Sequence, residues 1–240
     1  MWQPAPNSIR LDKQEIHLWR AELNRNSETI NAWENLLSKD ELARAARFRV
    51  EAARRRFIAG RAILRLLLGR YLGLDPAGIV FRYHPHGKPY LAGGAGQIDL
   101  RFNLSHSHEL ALYAFALERE IGIDLEQIRT DRDPERLAAR FFSPEENAAL
   151  GSLSPEDRRE AFFRCWTRKE AYLKARGEGL SIPLAAFSVS VGPAAALLKV
   201  DSAPEETSRW SLVSIDSIPG YAAALAVEGR LPGLRYWIFD

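Results

Sequence analysis

The sequence has very little cysteine: Cys165 stands alone among 240 residues. A single cysteine excludes an internal disulfide framework and a cysteine-rich zinc site, and it suits a reducing compartment such as the cytoplasm. Net charge is also scarce, because 33 basic residues face 31 acidic ones and leave a formal charge of +2. This balance excludes nucleic-acid or membrane binding driven by long-range attraction, so any charged site must be local.

A secretion signal and a membrane span are missing as well. The N-terminal segment has no basic stretch followed by an apolar one, and the most apolar run, residues 62–68, is interrupted by Arg65 and is too short to cross a bilayer. We therefore expect a cytoplasmic protein. The apolar content of 46% is enough to fill the core of one large domain or of two compact halves.

The first half of the chain is predicted to combine helices with a small sheet. Residues 16–23 have strand character, and Ser38 followed by Glu41 forms a capping box that opens the next helix. Apolar residues at helical spacing predict a long helix over residues 51–72, which Gly73 would end. Further strands are predicted at residues 79–83, 100–105, 110–117 and 121–128.

The second half repeats this order of elements. Ser143 and Ser154 each precede a proline and acidic residues, which is the signature of a helix N-terminus. The second of these helices should cover residues 155–175 and stop near Gly177. Strands are then predicted at residues 187–191, 197–201, 210–215 and 221–227.

The sequence letters also repeat, since GLDPAGIVF follows the first long helix as GLSIPLAAFSV follows the second. We therefore predict an α+β fold with two similar halves, residues 1–119 and 120–240, each a small, mostly antiparallel sheet packed on a long helix. A ligand would bind in the cleft between the halves. The alternative is that helix, turn and strand recur by chance, as they do in any α+β protein.

Two acidic residues interrupt an otherwise apolar strand in the segment IGIDLEQI. Asp124 and Glu126 are alternate residues, so their side chains share one face of the strand. Two like charges on an apolar strand repel each other unless a cation lies between them, and magnesium or manganese prefers such oxygen ligands. The alternative is a strand edge whose polar face is solvated.

A third oxygen ligand is available on the second long helix. Trp166, Glu170 and Lys174 are spaced four residues apart, so they lie along one helix face. Glu170 can complete a metal site, and Lys174 would then neutralise a phosphate bound to that metal. The alternative is an ordinary exposed glutamate–lysine pair, which stabilises a helix by roughly a few tenths of a kcal/mol.

Residue types that bind anions occur at two further places. Gly87 and Lys88 follow a polar turn that contains His86, and Ser105 and His106 end the predicted strand RFNLSHS. Neighbouring strand residues point to opposite faces, which argues against a serine nucleophile activated by the adjacent histidine. Serine, histidine and lysine can instead hydrogen-bond phosphate oxygens. The alternatives are a common Gly-Lys-Pro turn and a structural histidine.

Nine arginines and one acid, Glu51, lie within residues 44–70. This local excess favours an anionic ligand: a phosphate group, an acidic protein or a nucleic acid. The alternative is a solvated helix face, because arginines in a 3.6-residue period point in several directions. Cys165 lies between Phe163 and Trp166, and we interpret it as a small buried hydrophobic residue rather than a nucleophile.

Four sequence blocks, GKPYL, FNLSHS, GIDLE and WTRKEAYLKARGEGL, occur in this order and together resemble the signature of the Sfp-type 4′-phosphopantetheinyl transferases. The resemblance covers most of the chain, from the arginine-rich helix to the strand after GLSIPL. It implies two similar halves related by a pseudo-twofold axis. It also implies that coenzyme A and a magnesium ion, or manganese in its place, bind in the cleft between them.

The resemblance assigns a role to individual residues. Asp124, Glu126 and Glu170 take the positions of the metal ligands, and Lys174 takes that of the lysine that contacts the phosphates of coenzyme A. Other members have a second lysine where this chain has Glu41, so binding of the 3′-phosphate would rest on an arginine pair that includes Arg44. The implied coenzyme A-binding set is Arg44, His86, Gly87, Lys88, Asn103, Ser105, His106 and Lys174.

The implied reaction moves the phosphopantetheine arm of coenzyme A to a serine of an acyl, aryl or peptidyl carrier protein and releases 3′,5′-ADP. The carrier would serve fatty-acid, polyketide or nonribosomal-peptide synthesis. Glu170 would accept the serine proton directly or through water, and Lys174 would stabilise the departing phosphate. Because such carriers are acidic, a basic rim is expected, unless the interleaved acids neutralise it. Its candidates are Arg129, Arg132, Arg136 and Arg140.

Two other functions compete with this interpretation. One is a nucleic-acid-binding protein that uses the arginine-rich helix and a metal-dependent, nuclease-like site at the three carboxylates. It leaves the blocks GKP and FNLSHS unexplained. The other is an inactive homologue that only binds a carrier protein, which is disfavoured because Lys174 and all three candidate ligands are present. Two internal halves would allow a monomer to hold a complete cleft.

Overall fold

The computed structural model describes residues 1–6, 8–92, 98–131 and 133–240. No helix in these ranges is long and apolar enough to span a membrane. The helices are α1 (Ser27–Glu34), α2 (Lys39–Ala45), α3 (Glu51–Leu72), α4 (Pro134–Phe141), α5 (Pro144–Gly151), α6 (Pro155–Arg176) and α7 (Glu206–Arg209). The strands before residue 120 are β1 (Gln3–Pro4), β2 (Glu15–Glu22), β3 (Phe81–Tyr83), β4 (Pro89–Leu91), β5 (Leu100–Ser107) and β6 (Leu110–Leu117). Those after it are β7 (Ile121–Gln127), β8 (Phe187–Val189), β9 (Leu197–Val200), β10 (Trp210–Ser214), β11 (Tyr221–Glu228) and β12 (Gly233–Phe239).

The strands form two main sheets and two small hairpins. The first sheet has the order β1-β12-β2-β6-β5, and the second has the order β10-β11-β7. Strands β2, β6 and β5 pair antiparallel, as do β7, β11 and β10, whereas β12 runs parallel to β2. The hairpins β3-β4 and β8-β9 stand apart from these sheets. Both main sheets are thus antiparallel apart from the edge that β12 and β1 form.

The two sheets pack face to face, and each carries a long helix on its outer face. Ile16, Leu112, Ile123 and Leu225 belong to the apolar layer between the sheets. Alternate residues of the same strands point the other way, because strand side chains alternate between faces. In the first sheet these residues, among them Tyr113, pack on α3, and in the second sheet they pack on α6.

The order of elements repeats between the halves, as the sequence predicted. In each half a strand is followed by two short helices, a 22-residue helix, 3₁₀ structure, a small hairpin and two antiparallel strands, and the second half adds a second 3₁₀ turn and helix α7. Both long helices end at a glycine in the left-handed conformation, with φ of 66° at Gly73 and 70° at Gly177. Glycine adopts this conformation without steric cost, which explains why it ends both helices. The α+β fold class with two similar halves is confirmed.

The structure corrects the sequence prediction at several elements. Helices α1 and α4, the closing strand β12 and strand β4 were not predicted. The strand predicted at residues 79–83 is shorter, because Ile79 caps the 3₁₀ turn Pro76–Gly78. Strand β12 belongs to residues 120–240 by sequence but pairs with β2 of the first sheet. The division of the chain near residue 120 stays a prediction.

Candidate active site

A cleft of about 570 Å³ lies between the two halves. Its first wall comes from α2, α3, the β3-β4 turn and β5, and its second wall comes from the C-terminal part of α6 and the residues that follow it. Phe57, Gly60 and Tyr83 contribute to the first wall. The predicted site residues that line it are Arg44, His86, Gly87, Lys88, Asn103, Ser105, His106, Glu170 and Lys174.

Strand β5 lies beside β7 and reaches it through polar side chains. Asn103 Oδ1 accepts a hydrogen bond of 2.8 Å from the backbone N–H of Ile123, and Ser107 Oγ accepts one of 3.0 Å from Gln127. The Ser107 hydroxyl donates in turn to Glu126 Oε2 at 3.0 Å. These side chains supply the partners that the backbone of β7 would otherwise lack on this edge. The FNLSHS block therefore joins the two halves.

Asp124 lies where the two halves meet. The Lys174 ammonium donates to Asp124 Oδ1 at 2.6 Å and to Ser105 Oγ at 2.9 Å. The Ser105 hydroxyl donates to the same Asp124 oxygen at 2.9 Å. Asp124 is buried, and a buried carboxylate needs such partners to offset its desolvation. Residues from three of the four predicted blocks thus converge here.

Glu170 lies one helical turn before Lys174 and faces a concentration of negative charge. Burial raises the pKa of the Glu170 carboxyl, Asp124 and Glu126 raise it further, and Lys174 partly opposes these effects. Each carboxylate nearby disfavours the ionised form of its neighbour, which is the pattern that a cation relieves. A raised pKa also makes the carboxylate a better proton acceptor than an ordinary exposed glutamate.

The carboxylate oxygens of Asp124, Glu126 and Glu170 are suitable ligands for a cation that prefers oxygen. Asp124 Oδ2 is buried and has no hydrogen-bond partner in the described ranges, so it keeps an unused acceptor. Asp124, Glu126 and Glu170 together offer only oxygen donors, which magnesium and manganese prefer. With the side chains as they stand, no three His, Cys, Asp or Glu residues among those described are grouped closely enough to hold a metal ion.

Small residues allow α6 to pack directly on β7 and β11. Ala222 and Ala224 of β11 lie opposite Glu126 and Asp124, on the sheet face that α6 covers. A Cβ on Gly122 would lie 2.1 Å from the backbone oxygen of Ala171, so no larger residue fits there. The alanine-rich strand and the glycine of GIDLE thus bring the helix that carries Glu170 against the strand that carries Asp124.

The first wall of the cleft is basic and aromatic. The Arg44 guanidinium lies 5.4 Å from the centre of the Phe57 ring, and Phe57 lies 5.3 Å from the ring of Phe48. The His106 imidazole keeps contact with solvent inside the cleft. Partial burial lowers its pKa, and the positive charges of Lys174 and Arg44 lower it further. This wall can receive an anion and a planar ring.

Sequence comparisons indicate one family. Sequence profiles of the 4′-phosphopantetheinyl transferase N-terminal family and of the 4′-phosphopantetheinyl transferase superfamily match residues 19–118 and 120–226. The holo-[acyl-carrier-protein] synthase of Thermotoga maritima is similar to 46% of this chain and 63% of its own, with a TM-score of 0.35 and 23% identity. The 4′-phosphopantetheinyl transferase Sfp of Bacillus subtilis is 32% identical over 155 residues, which are 65% of this chain and 66% of that protein. The 4′-phosphopantetheinyl transferase HetI of Nostoc sp. is 44% identical over 236 residues, which are 98% of this chain and 97% of that protein.

The chain belongs to the 4′-phosphopantetheinyl transferase family. The family that the four sequence blocks resemble is thereby confirmed, and the protein is an enzyme of that activity. Three arginines of the arginine-rich helix of this transferase are engaged by acidic residues of the fold. Arg61 and Arg65 both bond the buried carboxylate of Glu41, and Arg54 pairs with Glu34 and Glu51.

Several residues of the transferase's site were missed from the sequence. Phe57 and Tyr83 line the cleft, yet they sit in segments that offered only helix or strand periodicity. The capping box that Glu41 forms with Ser38 is confirmed, but its second role was missed, since Glu41 also neutralises two buried arginines. The signal for Gly122 was present, because a glycine within a strand often marks a close backbone approach.

Cys165 and the expected basic rim lie outside this cleft. Cys165 is fully buried in the core around α6, and burial raises the pKa of its thiol, which confirms the interpretation as a buried hydrophobic residue. Arg136 and Arg140 are exposed on α4, and Arg129 faces Asp131 at 3.7 Å. Arg132, also predicted for the rim, lies outside the described residues.

Proposed function

We propose that this transferase moves the 4′-phosphopantetheine group from coenzyme A to a serine hydroxyl of a carrier protein, with a divalent cation bound, and releases 3′,5′-ADP. The observation that supports this most is the cleft between the halves, whose lining combines a basic and aromatic wall with Glu170 and with Lys174, which bonds Asp124. The basic wall suits the nucleotide and its phosphates, and the carboxylates suit the metal. All the residues concerned belong to one chain, which is consistent with a monomeric enzyme.

In this proposal, different residues of the cleft bind different parts of coenzyme A. Arg44 binds phosphate at the outer wall, and His86, Gly87 and the Phe57 ring hold the nucleotide. Ser105, His106 and Lys174 bind the pyrophosphate oxygens, because hydroxyl, imidazole and ammonium groups all donate hydrogen bonds. Asn103 keeps β5 fixed to β7 through its bond to Ile123. The nucleotide would therefore lie across both halves.

Asp124, Glu126 and Glu170 would hold magnesium or manganese. When bound, the cation supplies positive charge to the two phosphates and relieves the repulsion among the three carboxylates. The unused, buried Oδ2 of Asp124 and the raised pKa of Glu170 support this assignment. The Lys174 ammonium bonds Asp124, so it would lie beside the two phosphates that the cation contacts.

The chemistry requires little covalent help from the enzyme. The serine oxygen forms a bond to the phosphorus that carries the pantetheine arm, and the bond from that phosphorus to the bridging pyrophosphate oxygen breaks. Glu170, whose carboxylate lines the cleft, accepts the serine proton directly or through water. Lys174 stabilises the negative charge that develops on the departing 3′,5′-ADP.

Intact mass measurement tests the reaction directly. The purified enzyme is incubated with coenzyme A, magnesium and an apo carrier protein, with one sample lacking the metal. We expect the carrier to gain the mass of the phosphopantetheine arm only when metal is present. No gain with acyl, aryl or peptidyl carriers would contradict the proposed reaction, and a gain without any divalent metal would contradict the metal's role.

Helix α4 supplies a surface for an acidic carrier protein. Arg136 and Arg140 are one turn apart and exposed, and neither forms an ion pair with the acids that the structure describes. The neighbouring acids are engaged elsewhere, because Asp133 caps α4 and Glu135 pairs with Arg158. These two guanidinium groups are therefore available to acidic partner residues.

Charge reversal tests this surface. The double variant Arg136→Glu/Arg140→Glu should weaken carrier binding at low salt and lose less affinity as salt rises, because screening removes the attraction in the parent enzyme. The matched control is Lys199→Glu/Arg230→Glu, two exposed charges at other places of the fold. Unchanged carrier affinity in the α4 variant would eliminate this surface from the proposal.

A further inference from the structure

The β3-β4 turn that lines the cleft is held by very few contacts of its own hairpin. Both strands have three residues, and the turn is closed by hydrogen bonds from His84 N to Lys88 O at 2.9 Å and from Gly87 N to His84 O at 2.8 Å. A two-stranded hairpin of this size is marginally stable by itself. Its position against the cleft must therefore come from contacts outside the hairpin.

Phe81 and Tyr83 hold the hairpin to the first half through Phe102 and Arg61. The Lys88 ammonium supplies the contacts with the second half. It donates to Glu120 Oε2 at 3.0 Å, to the Ile121 backbone oxygen at 3.3 Å and to the Ala175 backbone oxygen at 3.2 Å. An ammonium has three N–H donors, so these bonds use its whole capacity. Only 12% of the Lys88 side chain is exposed, and burial lowers the pKa of its ammonium.

The acceptors belong to the elements that carry the reacting groups. Ala175 lies in the last turn of α6, directly after Lys174, and a cation there interacts favourably with the negative end of the helix dipole. Ile121 begins β7, the strand of Asp124. Glu120 is itself fixed, because Arg101 donates to its other carboxylate oxygen at 2.6 Å.

A second contact holds the same turn against the backbone that follows α6. Gly179 has a φ of +56°, and a Cβ built on it would lie 2.7 Å from the Cβ of His86. A side chain at Gly179 would therefore push His86 away, besides straining the backbone. Lys88 and Gly179 thus fix both flanks of the turn to the second half.

We infer that Lys88 is a positioning residue, which clamps the nucleotide-binding turn to α6 and β7 through Glu120 and thereby sets the width of the cleft. This inference rests on the proposed function, since the cleft is assigned to coenzyme A. It departs from the direct coenzyme contact that the family resemblance implies. The ammonium is saturated by groups of the protein, so the lysine acts on the ligand through the turn.

Glu120 provides the test, because it bonds Lys88 and does not line the cleft. Coenzyme A affinity is measured by calorimetry for Lys88→Met, Glu120→Gln and the double variant. We expect each single change to weaken binding by about tenfold and the double change to add little, as contacting residues in one network behave. Glu118→Gln is the control, because Glu118 is an exposed acid close to Glu120 in the chain that pairs with Lys13 instead of Lys88.

Gly179→Ala is the second variant, and it displaces the turn without removing any charge. It keeps the test valid if Glu120→Gln has a folding defect of its own. It should lower coenzyme A affinity, with turnover at saturating coenzyme A largely kept. If Glu120→Gln leaves affinity unchanged or tightens it while Lys88→Met weakens it, Lys88 contacts the coenzyme directly and the clamp is refuted. Failure of the parent enzyme to bind coenzyme A would instead contradict the proposed function.

Discussion

Glu41 and Glu146 occupy matching places in the two halves, each as the third residue of a short helix. Each accepts a hydrogen bond from the backbone of the serine that caps its helix, at 3.0 Å from Ser38 and 2.8 Å from Ser143. Each also pairs with a buried cation, Arg65 or Lys169, that lies 14 residues after the first residue of its long helix. Removing one partner of such a buried pair costs about 3–5 kcal/mol. Arg65 therefore stabilises the fold, although its place in the arginine-rich stretch had predicted a role in binding an anion.

Glu170 carries the most direct prediction at this scale. Glu170→Gln should reduce turnover by about 10²- to 10⁴-fold, because the amide cannot accept the serine proton. Coenzyme A affinity measured without magnesium should be largely kept, since the basic wall and Lys174 are intact. Turnover is measured by the carrier mass shift and affinity by calorimetry. Glu160→Gln, an exposed glutamate on the same helix, is the control, and near-normal turnover in Glu170→Gln would refute the role.

Local rules predicted most elements, because helix ends carry their signals in sequence. Ser38, Ser143 and Ser154 were identified as N-caps, and Gly73 and Gly177 were identified as helix ends. Helix α4 was not predicted, although its Asp133-Pro134 start has the same signature. Spacing within each element was enough to place Asp124 with Glu126 on one strand face and Glu170 with Lys174 on one helix face. The buried partners of Glu41 and Lys88 could not be predicted in this way, since they depend on packing between elements.

The close packing of α6 on β7 leads to a prediction at Gly122. Gly122→Ala should lower both the thermal unfolding midpoint and the transfer rate. The added Cβ clashes with backbone atoms of Ala171 and Ala175, which cannot change rotamer as a side chain could. Overpacking of this kind costs about 1–3 kcal/mol or more. Gly151→Ala is the control, since a Cβ there meets nothing within 4 Å. A Gly122→Ala enzyme with parental midpoint and rate would contradict this packing argument.

The whole molecule is closed by a strand that crosses between its halves. Strand β12 follows β11 in the chain, yet it pairs with β2 of the first sheet. The alternating residues of this strand could have been identified in the sequence, but a partner more than 200 residues away could not. His17 of β2 lies under this strand, with its ring 6.1 Å from Trp237. The two halves are thus joined by β12, by β5 against β7 and by Lys88.

Acidification should lower the stability of the fold through His17, which lies beside β12. Burial lowers the pKa of His17 from 6.5, with Arg235 acting in the same direction and Glu15 opposing it, while Nδ1 contacts the Tyr71 hydroxyl at 2.8 Å. Below pH 6.5, His17 therefore binds a proton in the unfolded chain, whereas in the folded protein it stays neutral to a lower pH. The free energy of unfolding falls as pH drops for this reason. Urea unfolding at pH 7.5 and 5.5 should show a smaller acid loss in His17→Asn. An equal loss in both proteins would contradict this role of His17.

Asp124, Glu126, Glu170 and the basic wall of the cleft would together form one site for coenzyme A and a divalent cation. Calorimetric titration of coenzyme A, with magnesium or with a chelator, tests this claim in the parent enzyme and in Asp124→Asn. We predict that magnesium tightens coenzyme A binding by about tenfold in the parent enzyme and has little effect in the variant. Equal affinity with and without magnesium in the parent enzyme, or a full magnesium effect in Asp124→Asn, would contradict it.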